Sequence, residues 1–291
     1  MCSSDLATSP TWKPKNFDVE SVAEVQRKFF GTLLNTYAFF SLYANVDGFR
    51  YEENTVPVSE RPEIDRWILS LLNSTAREYV DAMQGYDPTR AARLVSNFTI
   101  EQLSNWYVRR NRRRFWKSEP GKDKTAAYQT LYECLVAITK MTAPIAPFLS
   151  DEIYRSLNEG ARREPFASVH IAPMVECHES LIAPELERRM DVAQRVAGIV
   201  RSMRARTNLK VRQPLSRIAV PASPEVRRLI EEMRDVILEE INVKTIEFVD
   251  ESSPIVRKTA NPNFKMLGPK FGKNRSEEHT SELQSHHDLV C

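Results

Sequence analysis

From Phe17 onward, apolar side chains recur every three or four residues for about 140 residues, the period that lays one stripe along an α-helix. Glycine, which interrupts such stripes, supplies only 8 of 291 positions, under half its usual share of about 7%. Tight hairpins, barrel corners and phosphate-cradling loops all rely on that residue, so neither an all-β fold nor a nucleotide-binding sheet is expected. With 42% hydrophobic residues the chain can bury a core. The expected class is mainly α: an antiparallel helix bundle, then a long helix and a small α/β module, with disordered ends.

The stripes and their punctuation place the elements. A first helix is expected over about 19–44 through Val22, Val25, Phe29, Phe30, Leu33, Tyr37, Phe40 and Tyr43, and Gly48 ends it. A second is expected from about Arg61 to Met83, with Ser59 as cap and Pro62 in its first turn. Asp87-Pro88 is a cap followed by proline at the first helical position, opening a helix that can run to about Lys117. A fourth helix spans about Lys124–Met141 before Pro144, and a fifth spans about Phe148–Leu157 before Gly160. These make a bundle over 17–180. The module over 181–273 begins with a helix Pro184–Arg206. An extended stretch Leu209–Val220 interrupted by Pro214, a charged helix from Ser223-Pro224 to about Glu240 and a strand Val243–Val249 follow. Residues 1–16 read as a flexible, non-native lead-in, and 274–291, polar and without pattern, as a non-native tail.

Cys2, Cys134, Cys177 and Cys291 are too scattered for a disulfide framework and include no CxxC. The N-terminal residues lack the basic-then-apolar order of a signal peptide. The longest uncharged run, Phe29–Val46, is too polar for a comfortable membrane span. A soluble cytoplasmic protein with no membrane partner is expected.

Charge is sorted along the chain although the net formal charge is only +2. Residues 101–117 (EQLSNWYVRRNRRRFWK) hold six Lys/Arg against Glu101 alone, 195–217 hold seven without an acid, and 252–273 hold five without an acid. Residues 225–251 are acidic, nine Asp/Glu against four Lys/Arg. At about 100° per residue, Arg109, Arg110, Arg113, Arg114 and Lys117 fall in an arc of roughly 140° centred near Trp106. Like charges on one helix face repel by a few tenths of a kcal/mol per pair, a cost that a phosphate backbone would neutralise. The opposing reading keeps Trp106 in the core and pairs the arginines with acids of neighbouring helices. Tyr107, Phe115 and Trp116 are expected in the core rather than stacked on bases. In the second stretch Arg201, Arg204, Lys210 and Arg212 are further candidates for RNA contact, against a plain solvated face. The third, PNFKMLGPKFGK, lacks the GxxxxGK[ST] spacing of a phosphate loop.

No GxSxG, HExxH or GxGxxG occurs. His170, Cys177 and His178 have no second pair at zinc-finger spacing, so no metal site is expected. The paired carboxylates Asp151-Glu152 and Glu231-Glu232 read as solvated helix faces. No catalytic residue is expected; the residues offer binding.

LSNWYVRRNRRRFW (103–116) followed by TAPIAPFLSDEIY (142–154) closely resembles the anticodon-binding helical domain of class I aminoacyl-tRNA synthetases of the isoleucine, valine and leucine group. KFFGTLLNTYAFFSLYANVDGF (28–49), ERPEIDRWILSLLN (60–73), LKVRQPL (209–215) and NPNFKMLGPKFGK (261–273) are similar to the isoleucyl family of the eukaryote-like type. The resemblance implies a part of an ATP-dependent ligase that charges tRNA(Ile) with isoleucine, the catalytic and editing domains, with their ATP and Mg, lying N-terminal to it. It also implies that this chain needs no cofactor and is inactive alone. Neither HIGH nor KMSKS occurs, and Lys265-Met266 is followed by Leu267. By family position Asn105, Trp106, Arg109, Arg110 and Arg113, with Arg114 and Lys117, would hold the anticodon stem-loop. A valyl or leucyl relative, or a helical scaffold for an acidic protein partner, are the rival readings.

Overall fold

A computed structural model of the chain describes residues 19–51, 55–116, 119, 121–161 and 163–249. The termini 1–16 and 274–291, the third basic stretch 252–273 and Lys117 lie outside the described residues. The chain divides into two compact units, 1–187 and 188–291.

In the first unit, α1 (Val19–Val25) passes through a π-helical turn, Gln26–Phe30, into α2 (Gly31–Asp47). The chain leaves α2 at Gly48 with φ +63°, a left-handed conformation that glycine takes without a Cβ penalty. Helix α3 (Glu63–Gln84) starts later than its sequence signals suggest. Ser59 sits inside a 3-10 turn, Val58–Glu60, and Pro62 occupies the cap position without a side-chain hydrogen bond, so Ser59 is not the cap. Asp87 does cap α4 (Pro88–Asn97), its Oδ1 accepting the Arg90 N–H at 2.9 Å. Past Asn97 the helix widens instead of ending: Phe98–Val108 is π-helical and leads into α5 (Arg109–Trp116).

Helix α6 (Lys122–Thr142) is the core element, and α2, α3, α4, α5 and α7 (Pro147–Ala161) all pack on it. Ala127, Leu131, Leu135, Ile138 and Met141 are fully buried, as a helix surrounded by helices requires. Two of its buried polar groups reach the segment before α3: Gln129 Oε1 accepts the Val56 N–H at 2.9 Å and Thr130 Oγ1 accepts from Arg61 Nη1 at 3.0 Å. Phe115 anchors α5 through edge-on contacts at 5.1 Å with Phe39 of α2 and Tyr128 of α6.

Helix α8 (Pro184–Arg206), whose residues from Arg188 onward belong to the second unit, has its expected bounds. Strand β1 (Leu215–Pro221) is shorter than the expected extended stretch, because Leu209–Pro214 is turn and loop. The charged helix is broken at Met233 (φ −108°, ψ 17°) into α9 (Pro224–Glu232) and α10 (Arg234–Ile241). Strand β2 (Val243–Val249) pairs parallel with β1 from Leu215↔Val243 to Pro221↔Val249, the two short helices supplying the crossover that parallel strands need. Among the described residues no helix is long and apolar enough to cross a membrane.

Candidate nucleic-acid interface

The continuous helix from α4 through the π segment into α5 carries one exposed ridge: Arg93, Asn97, Glu101, Asn105, Arg109, Arg112, Arg113 and Trp116. Four-residue steps drift by about 40° on an α-helix. The wider π turns, in which the Arg109 N–H reaches back to the Ser104 carbonyl, drift the other way, and positions 97, 101, 105 and 109 are all exposed. Counting about 100° per residue from Arg109, the exposed Arg112, Arg113 and Trp116 lie within about 60° of it, whereas Arg110 and Arg114 lie about 100° and 140° round toward the core.

The arc expected to centre on Trp106 is therefore turned. Trp106 is only 4% exposed, and direct base contact through its ring is corrected to a supporting role. The guanidinium carbons of Arg109 and Arg110 stand 5.9 and 5.5 Å from the ring centroid, so the indole orders them as a cation–π platform. Arg109 Nε also donates to the Asn105 carbonyl at 2.7 Å. Partial burial, and secondarily the neighbouring Arg110 charge, weaken Arg109's hold on its proton. Asn105 is exposed, its Nδ2 3.4 Å from Glu101 Oε2. Arg112 and Arg113 are exposed and make no hydrogen bond or ion pair among the described residues.

Arg114 is the second correction. Its Nη1 and Nη2 donate to the two Asp65 oxygens at 2.7 and 2.8 Å, and its Nε donates to Asp123 Oδ2 at 3.0 Å. Tyr107 Oη–H adds a bond to Asp65 Oδ1 at 2.7 Å. Burial disfavours the Arg114 charge, yet the hydrogen bonds to Asp65 outweigh it and the proton is held more tightly than usual. This guanidinium ties α3, α5 and α6 together.

The second basic stretch is likewise mostly committed inside its own unit. Arg201 is ion-paired with Glu240 and Arg217 with Glu247. Arg204 is 2% exposed, and its guanidinium donates to the carbonyls of Lys210, Gln213, Ile241 and Asn242 at 2.9–3.2 Å. Direct RNA contact is thus corrected for Arg204: its donor fork fixes the loop 207–214. Lys210 and Arg212 project from that loop into solvent.

Arg112 was missed by the sequence reading because the densest 140° arc excluded it; burial, not density, selects the outer face. Asp151 is no plain solvated group either. It accepts from Ser168 Oγ at 2.6 Å and the Val169 N–H at 3.0 Å, pinning a loop, and the Ser168 hydrogen bond leads in lowering its pKa. Glu231 is ion-paired with Arg234 and Glu232 with Arg189. Among the described residues no three His, Cys, Asp or Glu side chains cluster to hold a metal.

The sequence profile described as "Anticodon-binding domain of tRNA ligase" matches residues 65–219, which include the π segment, α5 and the 207–214 loop. The chain is 46% identical over 273 residues to an isoleucine–tRNA ligase of Cytophaga hutchinsonii, covering 94% of this chain and 25% of that protein. It is 49% identical over 269 residues to one of Bacteroides thetaiotaomicron, covering 92% and 23%. With one of Thermus thermophilus it shares 38% over 268 residues, covering 91% and 26%. The chain spans about a quarter of the length of these relatives.

Proposed function

The chain belongs to the family of anticodon-binding domains of tRNA ligases, and we propose that it grips the anticodon arm of the isoleucine tRNA as part of a cytoplasmic isoleucine–tRNA ligase. The observation that carries this reading is the ridge itself. Asn105, Arg109, Arg112 and Arg113 stand on one exposed line, and the last two have no partner among the described residues, while Arg61, Arg114 and Lys124 each have a carboxylate. A polyanion that follows the ridge relieves the repulsion by releasing its own counterions. Lys210 and Arg212 form a separate phosphate-contacting loop in the second unit. In this reading ATP, Mg and the amino acid are handled elsewhere in the parent protein. The chain alone carries no catalytic step, since neither HIGH nor KMSKS occurs in it. ATP–pyrophosphate exchange by the isolated chain would overturn that part.

The test is filter binding of isoleucine, valine and leucine tRNA transcripts across a salt series. Each neutralised phosphate contributes about 0.7–0.9 to the slope of log K against log salt. Replacing Arg112 and Arg113 together with Ala is expected to flatten the slope by about 1.5, with the isoleucine tRNA bound tightest. An unchanged slope would remove the ridge from the interface. Absence of any RNA affinity at low salt would favour an acidic protein as the partner.

A further inference from the structure

The ridge ends in an aromatic ring that the core leaves outside. Trp116, the last residue of α5, is 51% exposed, whereas Trp67 and Trp106 are buried and the adjacent Phe115 fills the aromatic contact between α2 and α6. Residues three and four apart on a helix share a face, so Trp116 stands beside Arg113 and Arg112. Two cations without a partner among the described residues and an open indole on one turn match a ligand that joins negative charge to flat, uncharged π surface. In a polynucleotide every base has a π-face next to a phosphate. A base inside a duplex offers its faces to its neighbours, so the base that fits is unpaired.

We propose that Trp116 stacks on an unpaired base of the RNA whose phosphates Arg112 and Arg113 hold. This rests on the RNA-binding reading above and assigns the ridge its base-contacting residue. Cations attract any polyanion equally, duplex included. The indole supplies what they lack, a preference for looped-out, single-stranded RNA.

The experiment titrates the full chain, wild type, Trp116→Ala and Trp116→Phe, with an RNA hairpin carrying the isoleucine anticodon loop and with the same stem closed as a duplex. Removing a base-stacking ring is expected to weaken hairpin binding roughly 5- to 150-fold. The salt slope should stay unchanged, because stacking releases no counterions. Trp116→Phe should recover most of the affinity, and duplex binding should not respond to either variant. Hairpin binding should quench indole fluorescence in the wild type and fail to do so in Trp116→Phe. Thermal melts establish that the variants fold, as an exposed side chain allows. If the wild type binds the hairpin and Trp116→Ala binds equally well, or if hairpin and duplex weaken alike, the stacking proposal alone is overturned. If the wild type binds neither RNA, the RNA reading falls and takes this inference with it.

Discussion

Arg113 and Arg114 are neighbours in the chain with the same charge and opposite employment. Arg113 points into solvent, while Arg114 forks onto the two oxygens of Asp65, a carboxylate with no exposure, and reaches Asp123 as well. A planar fork of donors suits that geometry, where the single ammonium of a lysine would not. Removing one partner of a buried ion pair strands the other charge away from water, at a cost of about 3–5 kcal/mol. Arg114→Ala is therefore expected to lower urea-unfolding stability by that amount and to leave the RNA salt slope of the folded protein intact. Arg113→Ala should do the reverse, staying within about 0.5 kcal/mol in stability while reducing the slope by about 0.7–0.9. Equal stability losses in the two variants would mean that Asp65 finds another partner.

At the scale of elements, two irregular backbone features decide what the surface displays. The π segment Phe98–Val108 sets the angle at which α5 leaves α4, and with it which arginines face outward. In the second unit, α10 ends at Asn242 in the left-handed region, φ +53° and ψ 56°. Its Nδ2 donates to the carbonyls of Val211 and Arg212 at 3.1 and 3.0 Å, across the same loop that Arg204 holds. Asn is the non-glycine residue that tolerates this conformation and can also bond locally. Asn242→Gly keeps the backbone and loses the clamp; Asn242→Ala loses the clamp and adds left-handed strain of about 1–2 kcal/mol. The alanine variant is thus expected to be less stable than the glycine variant by about 1 kcal/mol. Both should speed hydrogen exchange at the Gln213 amide, which closes the loop on the Lys210 carbonyl. Equal stability of the two would show that the left-handed turn can relax.

For the molecule as a whole, the first unit is held by a tyrosine-rich core whose phenols must stay protonated. Burial pushes Tyr51, Tyr79, Tyr107, Tyr128, Tyr132 and Tyr154 above the ordinary range, Tyr79 to about 12. A phenol whose folded pKa exceeds its unfolded value of about 10 adds stability that is complete below that pH and is lost as pH climbs through the folded value. For Tyr79 the loss runs from about pH 10 to about 12, and for the others it extends higher. Alkaline titration is expected to unfold the helices cooperatively above about pH 10, with the tyrosinate absorbance of these six buried rings and the loss of helical circular dichroism appearing together. Tyrosinate forming on these six rings while the helices persist would show that water reaches them. Much of this architecture was readable from local spacing and punctuation. Pro184–Arg206 and Val243–Val249 have their expected bounds, and Asp87-Pro88 opens its helix, because periodicity and caps act within one or two turns. The basic stretches were equally plain, since charge belongs to the residue. Which charges are available was not, because Arg114 owes its role to Asp65, 49 positions away. Arg204 owes its role to carbonyls as far as 38 positions off. Trp116, expected inside, was displaced by Phe115, since only one of two adjacent rings can enter the gap between α2 and α6. Periodicity and composition determined the helices and the supply of cations. The packing of distant segments decided which cations and which ring were left facing water, because burial and partnership are properties of neighbours in space that no local window contains.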